Sequence, residues 1–181
     1  MSGDIYPLIE KWLVPEGVCS ATLAAVVDAG RRRCESGAFW LGARSPLAAI
    51  QVVILPSGSG AEEHPYQWRV SPEVFGEISR WAKPRGLSLL GIAHTHIAGV
   101  PVDLSLADRQ RSVQTPDMLA VVIGEGGMEN EVTRWGWFVY EKNDYRRMPR
   151  IELENRVHIR ADARVEVYRA DSSGVWPHQL E

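Results

Sequence analysis

Two histidines flank one threonine at His94-Thr95-His96, directly after an apolar run over residues 87–93. On a β-strand, positions i and i+2 leave from the same face, so a strand ending here brings two imidazoles together. Two imidazoles need a further ligand to hold a zinc ion, and two downstream acids offer one. Asp108 would follow a loop and a helical turn that starts at Ser105, whereas Asp103 is nearer, within the loop itself. A His, His, Asp set with an open fourth position is the catalytic type of zinc site, because structural sites close all four positions with protein ligands. By itself, the H-x-H pair also describes two polar residues at a strand end. Ser105-Leu106-Ala107-Asp108 likewise describes an N-cap serine with an acid in the first turn.

A hydrolytic site also needs a proton carrier that is not a ligand. Zinc lowers the pKa of its water to ~7, but a carboxylate must still move the proton to the leaving group. Glu35 is placed for this, after a helix and at the start of a buried strand. An ionised carboxylate there is costly unless paired, hydrogen-bonded or functional. The plain alternative is a solvent-exposed loop acid. Cys34 beside it has no histidine near in sequence and reads as a small buried residue. His64, His158 and His178 lack partners, and Arg109 and Arg111 read as a solvated helix face before a substrate contact.

The elements that must position these residues can be read from periodicity and turn chemistry. Residues 5–13 suit a short helix or an extended arm, and Pro15 stands where a first helical turn tolerates proline. Val18, Leu23, Val26 and Val27 follow helical spacing over 18–29, with Gly30 and three arginines as the exit. Residues 37–42 and 47–55 read as strands, and the Pro-Ser-Gly stretch 56–60 closes the second with a loop. A third strand fits 66–70. Ser71 then caps a helix with Pro72 at its first position, and Val74, Ile78 and Trp81 share one face before Pro84 and Gly86 end it. The run 87–93 leads into the histidines, a polar helix starts near Ser105, and strands at 118–123 and 134–140 form a hairpin-like unit around the turn 124–130. Trp40, Trp81 and the pair Trp135/Trp137 fit core faces. Beyond Pro149 the alternation is weak, and the end at 172–174 looks loose. Strands outnumber helices but helices lie between them, which predicts an α/β or α+β domain with a curved sheet flanked by helices.

Composition sets the frame. The 181 residues are 45% hydrophobic and 24% charged, ordinary values for a folded chain that needs no staples. Two cysteines make no disulfide framework, so a reducing, cytoplasmic setting is the default. A net charge of −3 argues against a nucleic-acid footprint. The first residues carry acids and no long apolar core, and no stretch nears the ~20 apolar residues of a membrane span.

The order Glu35-Ser-Gly-Ala-Phe-Trp-Leu-Gly42, then His94-Thr-His96, then Ser105-Leu-Ala-Asp108, resembles the JAMM (MPN-plus, JAB domain) zinc metalloprotease family. It is most similar to the compact bacterial branch, over residues 17–145. Ile97 stands where the family commonly has proline. The gap from His96 to Asp108 is one residue longer than usual, so the loop 98–104 must bulge, and Ala38 replaces the second glycine after the glutamate. The resemblance implies a curved, mostly antiparallel sheet flanked by helices in a domain over 1–150, with 151–181 an extension of it. It further implies that His94, His96 and Asp108 bind one Zn2+, that Glu35 is the general acid/base, and that Ser105 hydrogen-bonds the oxyanion.

The implied activity is isopeptidase cleavage at the C-terminus of a ubiquitin-like protein, with E1-like and E2-like partners in a bacterial anti-phage conjugation system. Gly99 near the groove would admit a Gly-Gly terminus. Processing of a sulfur-carrier protein would use the same residues. A non-catalytic scaffold would lack ligands or the glutamate, and this chain keeps all of them.

Overall fold

The computed structural model describes residues 7–161 and 164–177, and only the backbone of Ser59 and Arg111. The chain opens with β1 (Lys11–Pro15), α1 (Glu16–Arg31), β2 (Gly37–Ala43) and β3 (Leu47–Pro56). A small hairpin of β4 (Ala61–His64) and β5 (Gln67–Val70) precedes α2 (Pro72–Ala82). Next come β6 (Ser88–Thr95), α3 (Leu106–Arg111), β7 (Leu119–Ile123), β8 (Gly136–Glu141) and β9 (Asp144–Arg147). The described chain finishes with α4 (Arg150–Arg156), β10 (Val157–Arg160), β11 (Glu166–Asp171) and β12 (Gly174–Pro177).

Ten strands form one sheet whose main path is β10-β1-β3-β2-β6-β7-β8-β9. The first residues of β3 pair with β1, whereas its second half, Val52 to Pro56, pairs with β11. Antiparallel pairings are the majority, and the parallel ones join β1 to β3 and β10, β11 to β3, and β6 to β7. The fold is α+β, with helices packed on a mixed, mostly antiparallel sheet.

The centre of the sheet is buried on both faces, which is why β2 reads as an unbroken apolar run rather than an alternation. Ala38 and Trp40 pack in one core with Val18 and Cys19 of α1. Phe39 and Leu41 point the other way and pack with Val74 and Ile78 of α2. Ser71 caps α2 by accepting a hydrogen bond from the Val74 N–H, as the serine-proline start predicts. The end of α1 lies so close to the turn after β7 that a Cβ on Gly30 would stand 1.6 Å from the Gly126 oxygen.

Several expectations change. Of the two readings of residues 5–13, of which 5–6 lie outside the described residues, the extended one holds from Lys11 on, where the arm becomes strand β1, gripped between parallel partners from far along the chain. Pro15 ends that strand and precedes α1 rather than lying inside its first turn. The weak pattern after Pro149 resolves into α4 and three strands, and residues 172–173 are the tight turn of the β11–β12 hairpin. Asp171 fixes that turn by accepting hydrogen bonds from the Ser173 N–H and hydroxyl, both at 2.6 Å.

Candidate metal centre

β6 lies between β2 and β7, so the residues at its end are braced from both sides. Ile92 and His94 face the core under α2, while Ala93 packs toward α1. His96 follows the strand but keeps its register: its N–H donates to the Ile123 oxygen at 2.9 Å and its oxygen accepts from Gly126 at 2.8 Å. The two imidazoles therefore share a face, with their Nε2 atoms 3.3 Å apart, and only 6% of His94 and 4% of His96 is exposed. Nδ1 of His96 lies 2.8 Å from the Pro101 oxygen. A carbonyl can only accept, so it fixes the proton on Nδ1 and leaves the Nε2 lone pair to face the centre.

Asp108 comes from α3. Its backbone N–H donates to Ser105 Oγ at 3.1 Å, and its Oδ2 accepts the Ser105 N–H at 2.8 Å, a reciprocal capping box that fixes the carboxylate. Oδ1 then stands 3.7 Å from His94 Nε2, and Oδ2 stands 3.4 Å from His96 Nε2. Around a tetrahedral ion with bonds of ~2.0–2.1 Å, neighbouring ligand atoms lie about 3.3–3.4 Å apart. The three side chains fit a single metal ion, and all their ligand atoms lie within 4.8 Å of one another.

Glu35 enters through the β2–β6 ladder. Gly37 pairs with His94, and the ladder runs one step further through the Thr95 N–H to the Ser36 oxygen at 2.9 Å. Thr95 Oγ1 also accepts the Ser36 N–H at 3.0 Å. The next step sets Glu35 opposite His96, and its N–H donates to the His64 oxygen of β4 at 2.8 Å. Only 5% of Glu35 is exposed. Burial pushes its carboxyl up to about 7; His96 pulls the other way and Asp108 adds to the rise. For Asp108, burial alone would favour the neutral acid, but the neighbouring imidazoles of His94 and His96, together with the Ser105 cap, outweigh it and hold the carboxyl far below its ordinary range. Burial opposes charge on His96, yet Asp108, the Pro101 carbonyl and Glu35 together raise its pKa.

The structure thus gathers His94, His96 and Asp108, with Glu35 bordering them. Asp103 is not in the group: its Oδ1 accepts the Leu104 N–H at 2.8 Å. Ser105 is exposed at the cap, and Cys34 is half-buried with its thiol 3.7 Å from the Arg32 oxygen. Gly99 takes φ 82° in the turn after His96. Arg109 is half-buried and reaches β9, where it donates to the Tyr145 oxygen. His64 is exposed, and His178 lies outside the described residues. Trp135 and Trp137 stack with centroids 6.2 Å apart inside the core. The strand read at 66–70 is β5, and sequence reasoning missed the Pro101 carbonyl and β4, the strand that pairs with β5 in a hairpin. Trp68 of that hairpin, with Phe39, Phe75 and Ile92, lines a groove of ≈ 530 Å³ that ends at His94 and Asp108. The fold and its site define an α+β domain with a His-His-Asp group, its histidines buried and its aspartate half-buried, able to hold one metal ion.

Compared by sequence, the chain matches no family model and no curated protein. Compared by structure, it is similar to the solution structure of protein DSY2949 from Desulfitobacterium hafniense, with a TM-score of 0.59 and 14% identity over 84% of this chain and 94% of that one. That likeness is one of fold. The crystal structure of a JAB1/MPN domain protein from Archaeoglobus fulgidus also matches, with a TM-score of 0.43 and 11% identity over 81% of this chain and 96% of that one. No helix among the described residues is long and apolar enough to cross a membrane.

Proposed function

We propose that this chain is a zinc metallopeptidase that cleaves the amide bond at the C-terminus of a ubiquitin-like protein, joined either to a lysine or to a precursor extension. The observation that carries the reading is the meeting of two imidazoles and a carboxylate, from elements apart in sequence, within 4.8 Å. The JAMM-like order of Glu35, the His94/His96 pair, Ser105 and Asp108 supports it. Two nitrogens and one oxygen suit zinc with a position left open.

Zinc, when bound, supplies a Lewis acid that polarises a carbonyl and makes water a better nucleophile near neutral pH. The residues do the rest. Glu35, with a pKa pushed up to about 7, takes the proton of the attacking water and returns it to the departing amine. Ser105 Oγ already accepts the Asp108 N–H, so its own proton is free to donate to the oxygen that gains charge. Among the described residues β5 pairs only with β4, and its residues 67–70 line the groove. Its other edge offers backbone hydrogen bonds to an extended tail. E1-like and E2-like proteins are the further partners this reading implies.

The test is cleavage of a ubiquitin-like protein linked through its C-terminus to a lysine side chain, by the zinc-loaded chain. Release of the intact modifier, lost on chelation and in Glu35→Gln, is expected. No cleavage of any modifier–lysine or modifier–extension bond by the zinc-loaded chain would contradict the reading.

A further inference from the structure

The capping box sets the Asp108 carboxylate relative to α3, but it does not set α3 relative to the sheet that carries the histidines. α3 has only six residues, too few to be stable alone, and none of its described side chains is buried. Leu106 is 71% exposed, so the helix has no apolar anchor of its own. Buried Leu104 just before it and half-buried Val113 just after it reach the core, and Asp108 meets the imidazoles. Among the described residues, the one further side-chain tie from the helix itself to the sheet is polar. The Arg109 guanidinium reaches across to β9 and donates to the backbone oxygen of Tyr145, with Asp144 Oδ1 at 3.3 Å and Asp103 Oδ1 at 3.8 Å. Tyr145 is a buried, doubly held post. It is 1% exposed, its ring meets Tyr140 edge-on at 5.1 Å, and its hydroxyl donates to the Val113 oxygen, just beyond α3, at 2.6 Å. Tyr145 therefore grips the α3 segment twice, through its carbonyl and through its phenol.

We propose that Arg109 is a positioning residue of the metal centre: locked onto the Tyr145 carbonyl, it fixes where α3 lies and so where Asp108 meets His94 and His96. The proposal rests on the metal reading of that group. The side-chain contacts of Arg109 are with Tyr145, Asp144 and Asp103, not with a ligand atom of the group. Its contribution is to hold the third ligand at the 3.4–3.7 Å spacing from the imidazoles, because Leu104 and Val113 anchor the ends of the segment while no apolar side chain fixes the turn between them. A carbonyl anchor also explains why the guanidinium is turned inward.

The experiment measures zinc affinity of the purified full chain by chelator competition, and the absorption spectrum of the cobalt-substituted protein, whose visible bands report ligand geometry. Arg109→Ala should weaken zinc binding ~10–100-fold, the range for residues that orient metal ligands, and should alter the cobalt bands. Arg109→Lys, which can still donate to a carbonyl, should recover part of both. Tyr145→Phe keeps the carbonyl and loses the Val113 tie, so it should weaken zinc less than Arg109→Ala. If Arg109→Ala does not fold, Arg109→Gln and Arg109→Lys give the same ranking. Asp103→Asn and Asp144→Asn should leave affinity unchanged. Arg109 variants with wild-type affinity and unaltered cobalt bands would overturn the proposal while leaving the metal centre standing. A wild-type chain that binds no zinc would overturn the metal reading itself.

Discussion

Gly37 stands directly opposite His94 in the β2–β6 ladder, so the imidazole faces a residue without a side chain. A Cβ there would lie 2.4 Å from the Ala93 oxygen and 2.6 Å from the Trp68 ring. The backbone cannot yield without opening the ladder, and Trp68 can yield only by moving into the groove. Gly37→Ala should cost about 1–3 kcal/mol by overpacking. Urea unfolding reads this directly, and an unchanged midpoint would show that the approach of β2 and Trp68 is looser than described.

Glu35 makes stability and function oppose each other. In the metal-free chain its carboxyl is pushed from 4.5 up to about 7, chiefly by burial. The folded state then holds a proton that the unfolded state has released. This contribution is fully present below pH 4.5 and is lost as pH rises through about 7. Glu35→Gln removes the titration, so under chelation it should be more stable than wild type at pH above about 7 and flatter across the window. Denaturant unfolding at a series of pH values checks it. Parallel curves for the two proteins would contradict the burial of this acid.

Metal content should sort the acids by role. Asp108→Ala and His94→Ala should lose the bound ion, because each removes one of three ligands. Glu35→Gln and Asp103→Asn should keep it, the first inactive and the second active. Elemental analysis after gel filtration gives the ratios. Loss of the ion in Asp103→Asn with retention in Asp108→Ala would reverse the assignment.

Ser105 carries two separable effects. Ser105→Ala deletes the Oγ that caps α3, at about 1 kcal/mol, and it deletes the oxyanion donor, at about 10²–10³ in kcat. The backbone N–H that holds Asp108 Oδ2 survives the substitution, so the ion should remain. Steady-state rates beside metal content test this pair of outcomes. A variant with full activity would remove Ser105 from the mechanism.

The strand leading to the histidines, the capped helix α2 and the pair β7–β8 were legible because each announces itself locally, through an apolar run, a serine-proline start, or a hairpin turn. The convergence of His94 and His96 followed from the two-residue period alone. What was not legible depends on distant partners. β1 is a strand because Val157–Arg160 and the start of β3 flank it, and nothing within Lys11–Pro15 encodes those neighbours. The short strands β4, β9 and β12 have too few residues for a period to emerge. The Pro101 carbonyl escaped because backbone groups leave no trace in residue type. The reading of Arg109 as part of a solvated face was incomplete, because the half-buried guanidinium also donates to the Tyr145 oxygen of a strand distant in sequence.

The most direct measurement is a crystal structure of the zinc-soaked chain with anomalous data collected on both sides of the zinc edge. One peak at ~2.0–2.2 Å from His94 Nε2, His96 Nε2 and an Asp108 carboxylate oxygen is the expected result. No peak at this group, or zinc held elsewhere with the Asp108 carboxylate turned away from the imidazoles, would contradict the account.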